Sequence, residues 1–191
     1  MLMLNPEIRL LDLDVDIHAV EQDLQQSFVD TTSIKTGLRL PGTWSMFEAG
    51  IRAILGQQIS VVAARNLVTT LVAEVGQSIG TNKLFPLPQS IAKSEFNFLT
   101  IPASRKQTLR NLAQHYVSHD TLNDPQQWLT LKGIGPWTVD YAQLRGLSDS
   151  DIYLGGDLGV KNAIGKLAHD FNPDLASPWR SYLTLQLWNQ L

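Results

Sequence analysis

The chain has 191 residues, 43% of them hydrophobic and 17% charged, which is globular usage with room for one sizeable domain or two small lobes. It contains no cysteine, which excludes disulfides, thiolate metal sites, a cysteine nucleophile and cysteine-ligated iron–sulfur clusters. No apolar run approaches the ~20 residues of a membrane span, and no basic-then-apolar leader opens the chain, so a soluble protein acting inside the cell is expected.

Helical periodicity runs along most of the sequence. Over 44–57, Phe47, Ile51, Ile54 and Leu55 fall on one stripe, with Thr43 placed as the N-cap. Ser60 caps a second helix that reaches Val75 and stops at Gly76. Pro86 and Pro88 mark a turn, and Pro88 is placed to open a short helix. A helix over 105–119 turns Leu109, Leu112, Ala113 and Tyr116 inward. Asp124-Pro125 reads as cap and first residue of a segment ending at Leu131, and Pro136 opens the next helix, ending near Gly146. Asp157 precedes a helix running to about His169, and 176–191 forms the last one. Strand signals are scarce, so the reading is all-α: a two-lobed helical bundle in a single domain over 1–191. Trp44, Trp128 and Trp188 are read as core, and Asp140, Asp149 and Asp151 as surface or capping residues.

The informative stretch is LTLKGIGPW at 129–137, where one helix ends, Gly133 and Gly135 frame a tight hairpin, and Pro136 starts another helix. Glycines there let the backbone adopt positive φ and approach another surface closely. N–H groups at the start of the following helix would suit a DNA phosphate. The carbonyls of Leu129, Leu131 and Ile134 could hold a monovalent cation, Na+ or K+, that bridges to it. Gly-x-Gly by itself is equally compatible with an ordinary turn between helices. The net charge of −3 does not point to nucleic acid. Residues 1–50 hold three Lys/Arg against eight Asp/Glu, and 51–191 hold twelve against ten, so any DNA surface must be a local patch.

Three segments together are more specific. They are LRLPG at 38–42 with FEAGIRAILGQQIS at 47–60; KGIGPWTVDY at 132–141 with LRG at 144–146; and YLGGDLGVK at 153–161 with PWRSY at 178–182. In this order they resemble the helix-hairpin-helix/Gly-Pro-Asp DNA glycosylase superfamily, specifically its AlkA-type 3-methyladenine DNA glycosylase II branch. The resemblance implies a helix-hairpin-helix at about 124–146, N- and C-terminal segments forming a second lobe, and an active site in the cleft between lobes. It implies a monofunctional enzyme of base excision repair. Such an enzyme flips an alkylated purine such as 3-methyladenine or 7-methylguanine out of double-stranded DNA and hydrolyses its N-glycosidic bond.

On that resemblance, Asp157 is the catalytic carboxylate, stabilising positive charge on the sugar and orienting the attacking water. Trp137 and Tyr141, four apart on one helix face, join Trp179 in a pocket whose electron-rich rings attract a cationic base. Each of these aromatics taken alone reads more readily as core. Gln58 matches the residue that wedges into the space left by the flipped base, with Gln57 and Ser60 stabilising its loop. Lys132, Gly133, Gly135 and Lys161 are DNA contacts. In related bifunctional glycosylases the residue two beyond the second hairpin glycine is a lysine that forms a Schiff base; here it is Trp137, so no β-lyase activity is expected. Lys132 stands where many relatives have proline. The AlkA type usually carries an N-terminal β-rich domain, and this chain is expected to begin just before the helical core, near Arg9. No cofactor is expected beyond the hairpin cation. The expected setting is a monomer in a bacterial-type cytoplasm, associated with the nucleoid. The rival readings are a same-fold glycosylase for a deaminated or etheno base, a non-catalytic helix-hairpin-helix DNA-binding module, and a helical protein–protein adaptor without DNA affinity.

Overall fold

A computed structural model describes residues 6–27, 34–118, 124–167 and 171–190. The elements are α1 (Pro6–Leu10), α2 (Ile17–Ser27), α3 (Met46–Gly56), α4 (Val61–Val75), β1 (Ser78–Ile79), β2 (Asn82–Lys83), α5 (Pro88–Ala92), α6 (Ala103–Ser118), α7 (Pro136–Ala142), α8 (Leu158–Ile164) and α9 (Arg180–Trp188). Short 3-10 turns occupy Pro125–Thr130 and Pro173–Ala176, and a π-helical turn occupies Gln143–Leu147. The all-α class read from the periodicity holds. The exception is the antiparallel pair β1–β2, closed through Gly80 at φ 58 and lacking the Asn-Gly signature that would have announced it. No described helix is long and apolar enough to cross a membrane.

The chain divides into two compact units, a central one of Ser45–Ala142 and a terminal one of Met1–Trp44 with Gln143–Leu191. In the central unit, α3 packs against α4, α6 and α7. Ala49, Ile51, Ile54 and Leu55 from α3 share one buried cluster with Leu109, Leu112 and Ala113 from α6 and with Trp128 and Val139, among others. At Gly50 a Cβ would lie 2.8 Å from both Leu112 and Trp128 side chains, so α3 passes these residues closely only because Gly50 has none. Glu48, buried on α3, is satisfied by Arg52 one turn on, at 2.7 Å.

The terminal unit is tied by polar groups. Asp12, buried at φ 56, accepts the Leu40 N–H at 2.8 Å and the Tyr182 hydroxyl at 2.8 Å, while Arg39 donates to the Asp12 carbonyl. Burial raises the Asp12 carboxyl above its ordinary range against the pull of those donors. Burial, together with the Asp12 hydrogen bond, pushes the Tyr182 phenol up. Asp151 receives Arg180 in a fork, Nε to Oδ1 at 2.7 Å and Nη2 to Oδ2 at 2.9 Å.

Several boundaries depart from the periodicity reading, each for a physical reason. The cap of α3 is Ser45, whose Oγ accepts the Glu48 N–H; Thr43 instead spends its own N–H on the Arg145 carbonyl, at 2.8 Å. That carbonyl, and the Gly146 carbonyl bonded by Arg9, lie in the π turn that replaces the expected end of the helix from Pro136. The helix expected over 176–191 starts at Arg180, because Pro178 has no N–H to donate and keeps Ser177 extended, at ψ 135. The helix after Asp157 ends at Ile164, and His169 lies outside the described residues. Trp128 is core as expected, but Trp44 is 64% exposed and Trp188 is only half-buried.

The Arg180 guanidinium holds the Asp151 carboxyl below the ordinary carboxylate range. A depressed folded-state value means the pair stabilises above that range, and the contribution is lost as pH falls through the folded value. Asp151→Asn is therefore expected to melt below wild type at pH 7. The two melting temperatures should converge once the pH lies well under the carboxylate range, as thermal melts followed by circular dichroism across pH would show.

Candidate active site and nucleic-acid interface

The hairpin is built by a backbone reversal in the central unit. The 3-10 turn Pro125–Thr130 is capped by Asp124, whose carboxylate accepts the Gln126 N–H at 3.1 Å, and Pro125 follows as its first residue. Leu131 is extended, Gly133 sits at φ 95, and Pro136 opens α7. Gly133 is required twice over. Its φ is left-handed, and a Cβ there would fall 2.0 Å from the Thr108 hydroxyl oxygen. Thr108 reaches across from α6, donating to the carbonyls of Ser104 at 3.0 Å and Lys132 at 3.3 Å. Gly135 faces open space, and the exposed Lys132 stands at the tip of the turn. Among the nominated carbonyls, that of Leu131 accepts the Ile134 N–H at 3.1 Å, which leaves its second lone pair. Among the described residues no cluster of His, Cys, Asp and Glu is arranged to hold a metal ion.

The loop between α3 and α4 is pinned to this hairpin. Gln57 donates from Nε2 to the Gly133 carbonyl at 3.2 Å and to the Thr138 hydroxyl at 3.1 Å. Arg105 donates to the Gln57 carbonyl at 2.8 Å, and Ser60 caps α4 by accepting the Ala63 N–H. Gln58 is thus presented, exposed and at φ 56, from a loop held on both sides. The stabilising roles expected for Gln57 and Ser60 are visible; Arg105 was not anticipated, because nothing in its local pattern points across 48 residues to Gln57. A cavity of about 550 Å³ beside the loop is lined by Ile59, Ala63, Leu67, Phe98, Ile101 and Arg105, among others, and none of the nominated aromatics borders it.

Trp137 and Tyr141 lie together on α7, with ring centroids 5.4 Å apart and planes inclined by 30°. Both are half-buried, unlike Phe47 and Ile51, which belong to the core. Asp140, between them in sequence, is half-buried rather than a surface residue, and burial raises its carboxyl. Asp149 closes a turn rather than capping a helix, accepting the Asp151 N–H at 2.9 Å.

In the terminal unit, Asp157 is the N-cap of α8. Its backbone is extended, at φ −70 and ψ 138, and Oδ1 accepts the Val160 N–H at 3.1 Å. The same oxygen accepts the indole N–H of Trp188 at 2.9 Å. Trp188 therefore belongs to the site residue's surroundings, not to the core, a link over 31 positions that no local pattern carries. Lys161 is exposed one turn along α8. Trp179 is half-buried, donates its indole N–H to Asp23 at 2.8 Å and meets Tyr182 edge-on at 5.9 Å.

No family model matches the chain. It is 31% identical over 205 residues to the probable bifunctional transcriptional activator/DNA repair enzyme AlkA of Mycobacterium tuberculosis, an alignment covering 96% of this chain and 41% of that protein. It is 33% identical over 172 residues to DNA-3-methyladenine glycosylase 2 of Escherichia coli, covering 81% of this chain and 61% of the relative. The chain thus spans about half the length of these curated relatives. Its fold is similar to that of the Clostridium acetobutylicum 8-oxoguanine glycosylase/lyase in complex with double-stranded DNA. The TM-score is 0.78 at 16% identity, covering 96% of this chain and 72% of that one.

The two hairpin glycines should respond differently to a methyl group. Gly133→Ala meets both a strained φ and Thr108, and is expected to lose about 2–4 kcal/mol in denaturant unfolding. Gly135→Ala enters open space and should stay within about 1 kcal/mol of wild type.

Proposed function

Because the chain belongs to the helix-hairpin-helix DNA glycosylase superfamily, on its AlkA-type branch, we propose that it is a monofunctional glycosylase of base excision repair that removes alkylated purines from double-stranded DNA. The observation that carries this reading is the carboxylate of Asp157, held at the start of α8 by Val160 and Trp188 within the YLGGDLGVK segment.

A purine methylated at N3 or N7 is cationic and already a good leaving group. When its bond to C1′ breaks, the electron pair neutralises the base and positive charge moves to the sugar. Asp157 would stabilise that charge and orient a water whose oxygen bonds to C1′, the proton passing to the carboxylate or to solvent. The stacked pair Trp137 and Tyr141 would offer electron-rich faces to an extrahelical cation, worth roughly 0.5–2 kcal/mol each, and Trp179 of the terminal unit is a ring of the same chemistry. Gln58 would fill the gap in the duplex. Around the hairpin, the backbone near Gly133 and Gly135 would meet a phosphate together with Lys132, and Lys161 would meet another. The carbonyls of Leu129, Leu131 and Ile134 are hard oxygen donors suited to Na+ or K+, which would supply positive charge facing a phosphate. Trp137 has no amine to attack the sugar, so strand cleavage by β-elimination is not expected.

The test is to incubate the protein with duplex DNA treated with a methylating agent and quantify the free bases released. Wild type is expected to release 3-methyladenine or 7-methylguanine and leave intact abasic strands. Asp157→Asn, which keeps an acceptor for Val160 but removes the charge, should lose at least about a hundredfold in rate. Equal release by both proteins would overturn the role of Asp157. Release only from substrates carrying deaminated or etheno bases would reassign the lesion, and binding without any release would make the chain a DNA-binding module.

A further inference from the structure

Of the described aspartates that are buried or half-buried, Asp12, Asp149, Asp151 and Asp157 each accept at least one hydrogen bond. Asp140 is the exception. Among the described residues its carboxylate takes part in no hydrogen bond or ion pair, and burial alone acts on it, raising the carboxyl. Taking a carboxylate out of water without a compensating donor costs stability. Its position in α7 does not offset that cost. It lies past the first turn, where a carboxylate complements the helix dipole, and aspartate is a poor residue for a helix interior.

The helix places this charge beside the aromatic pair. With about 3.6 residues per turn, the buried residues Thr138, Val139 and Ala142 occupy one side of α7 and turn to the interior. Trp137, Asp140 and Tyr141, all half-buried, fall on the opposite side. Around the axis Trp137 stands between Tyr141, on which it stacks, and Asp140, so the carboxylate flanks the pair. Electron-rich rings attract a cation. An ionised carboxylate does the same and also accepts N–H donors. Together they favour a planar cation that carries N–H groups. A methylated purine has both features, a charged ring and an exocyclic amino group, whereas a neutral purine has at most the second.

We propose that Asp140 is a specificity-determining residue of the base pocket: its carboxylate accepts the exocyclic amino group of an alkylated purine and favours the charged ring over a neutral one. This rests on the reading of Trp137 and Tyr141 as pocket walls and deepens it, since the rings respond to charge alone while a carboxylate also selects the donor. The hydrogen bond that the fold does not give Asp140 then arrives with the substrate.

The experiment uses the full chain under single-turnover conditions, with duplexes carrying one 7-methylguanine or one hypoxanthine, and a duplex bearing a tetrahydrofuran abasic analogue for binding. Asp140→Asn keeps the shape and an acceptor but removes the charge; Asp140→Ala removes both. Release of 7-methylguanine should slow about tenfold in Asp140→Asn, the range for losing a hydrogen bond to a charged group, and further in Asp140→Ala. Hypoxanthine is neutral and has no amino group, so its release should stay within about threefold of wild type and the ratio between the two lesions should fall. The abasic-duplex Kd should stay within about twofold, because no base is present to meet the carboxylate. Thermal melting gives a readout independent of activity: at pH 7 Asp140→Asn should melt at or above wild type, since it removes a charge that has no partner. Release of 7-methylguanine at the wild-type rate by both variants, or an equal fall on both lesions, would overturn the specificity role alone. Melting of Asp140→Asn well below wild type would do the same, assigning the carboxylate to the fold. If wild type releases no base from any substrate, the glycosylase reading falls and this role falls with it.

Discussion

At Gly133 the chain reverses in a space that no side chain can enter. The reversal sets the direction of α7 and brings the Gly133 carbonyl to Gln57, while Thr108 closes the turn from α6. Three separate stretches of the central unit are therefore registered at one backbone position. The consequences spread outward along short links. Gln57 is held, so Gln58 projects; Thr138 is held, so Trp137 and Tyr141 keep their place on the first turns of α7. Much of what the proposed DNA-facing surface requires is thus settled by sterics at a residue with no side chain, and the polar bonds then lock the arrangement in place.

The terminal unit uses a different device. Its two sequence segments, at opposite ends of the chain, are joined by polar contacts as well as by buried apolar side chains such as Val20, Leu24, Leu40, Leu154 and Leu183. Asp12 with Leu40 and Tyr182, Thr43 and Arg9 with the π turn, and Gln186 with Lys35 all bind N-terminal residues to C-terminal ones. Such bonds are directional, so they specify one geometry where apolar packing tolerates several. That suits a unit whose proposed task is to present a single carboxylate, Asp157, which accepts the Val160 N–H and the Trp188 indole N–H.

What could be read from the sequence follows from how far each interaction reaches. Ser60, Asp124 and Asp157 were legible as caps because each accepts an N–H two or three residues ahead, within a single local pattern. Helix class, the hairpin glycines and Pro88 were legible for the same reason. Thr43 was misread because its N–H is taken by Arg145, 102 positions away, leaving Ser45 to cap. Trp44 and Trp188 show the limits of motif matching: both read as core because neither matches a pocket position. One is exposed, and the other has a polar edge that finds a carboxylate. Arg105 on Gln57 and Thr108 against Gly133 were illegible because neither pairing leaves any periodicity behind.

The division into units also resolves the apparent conflict between a net charge of −3 and a nucleic-acid partner. Within Ser45–Ala142 there are eight Lys/Arg against six Asp/Glu, whereas the remaining residues hold seven against twelve. The central unit, which presents the hairpin and the Gln58 loop, is thus the basic one. The acidic excess of the terminal unit is partly spent internally, on Tyr182, Arg180 and Trp179 through Asp12, Asp151 and Asp23. Coulombic attraction to phosphate is screened within about 10 Å at ordinary salt, so the charge near the contact decides, not the sum over the chain. A weakly basic central unit would suit the proposed glycosylase, whose selectivity is proposed to come from a cationic base meeting aromatic faces, since tight attraction to every phosphate would slow passage along undamaged DNA.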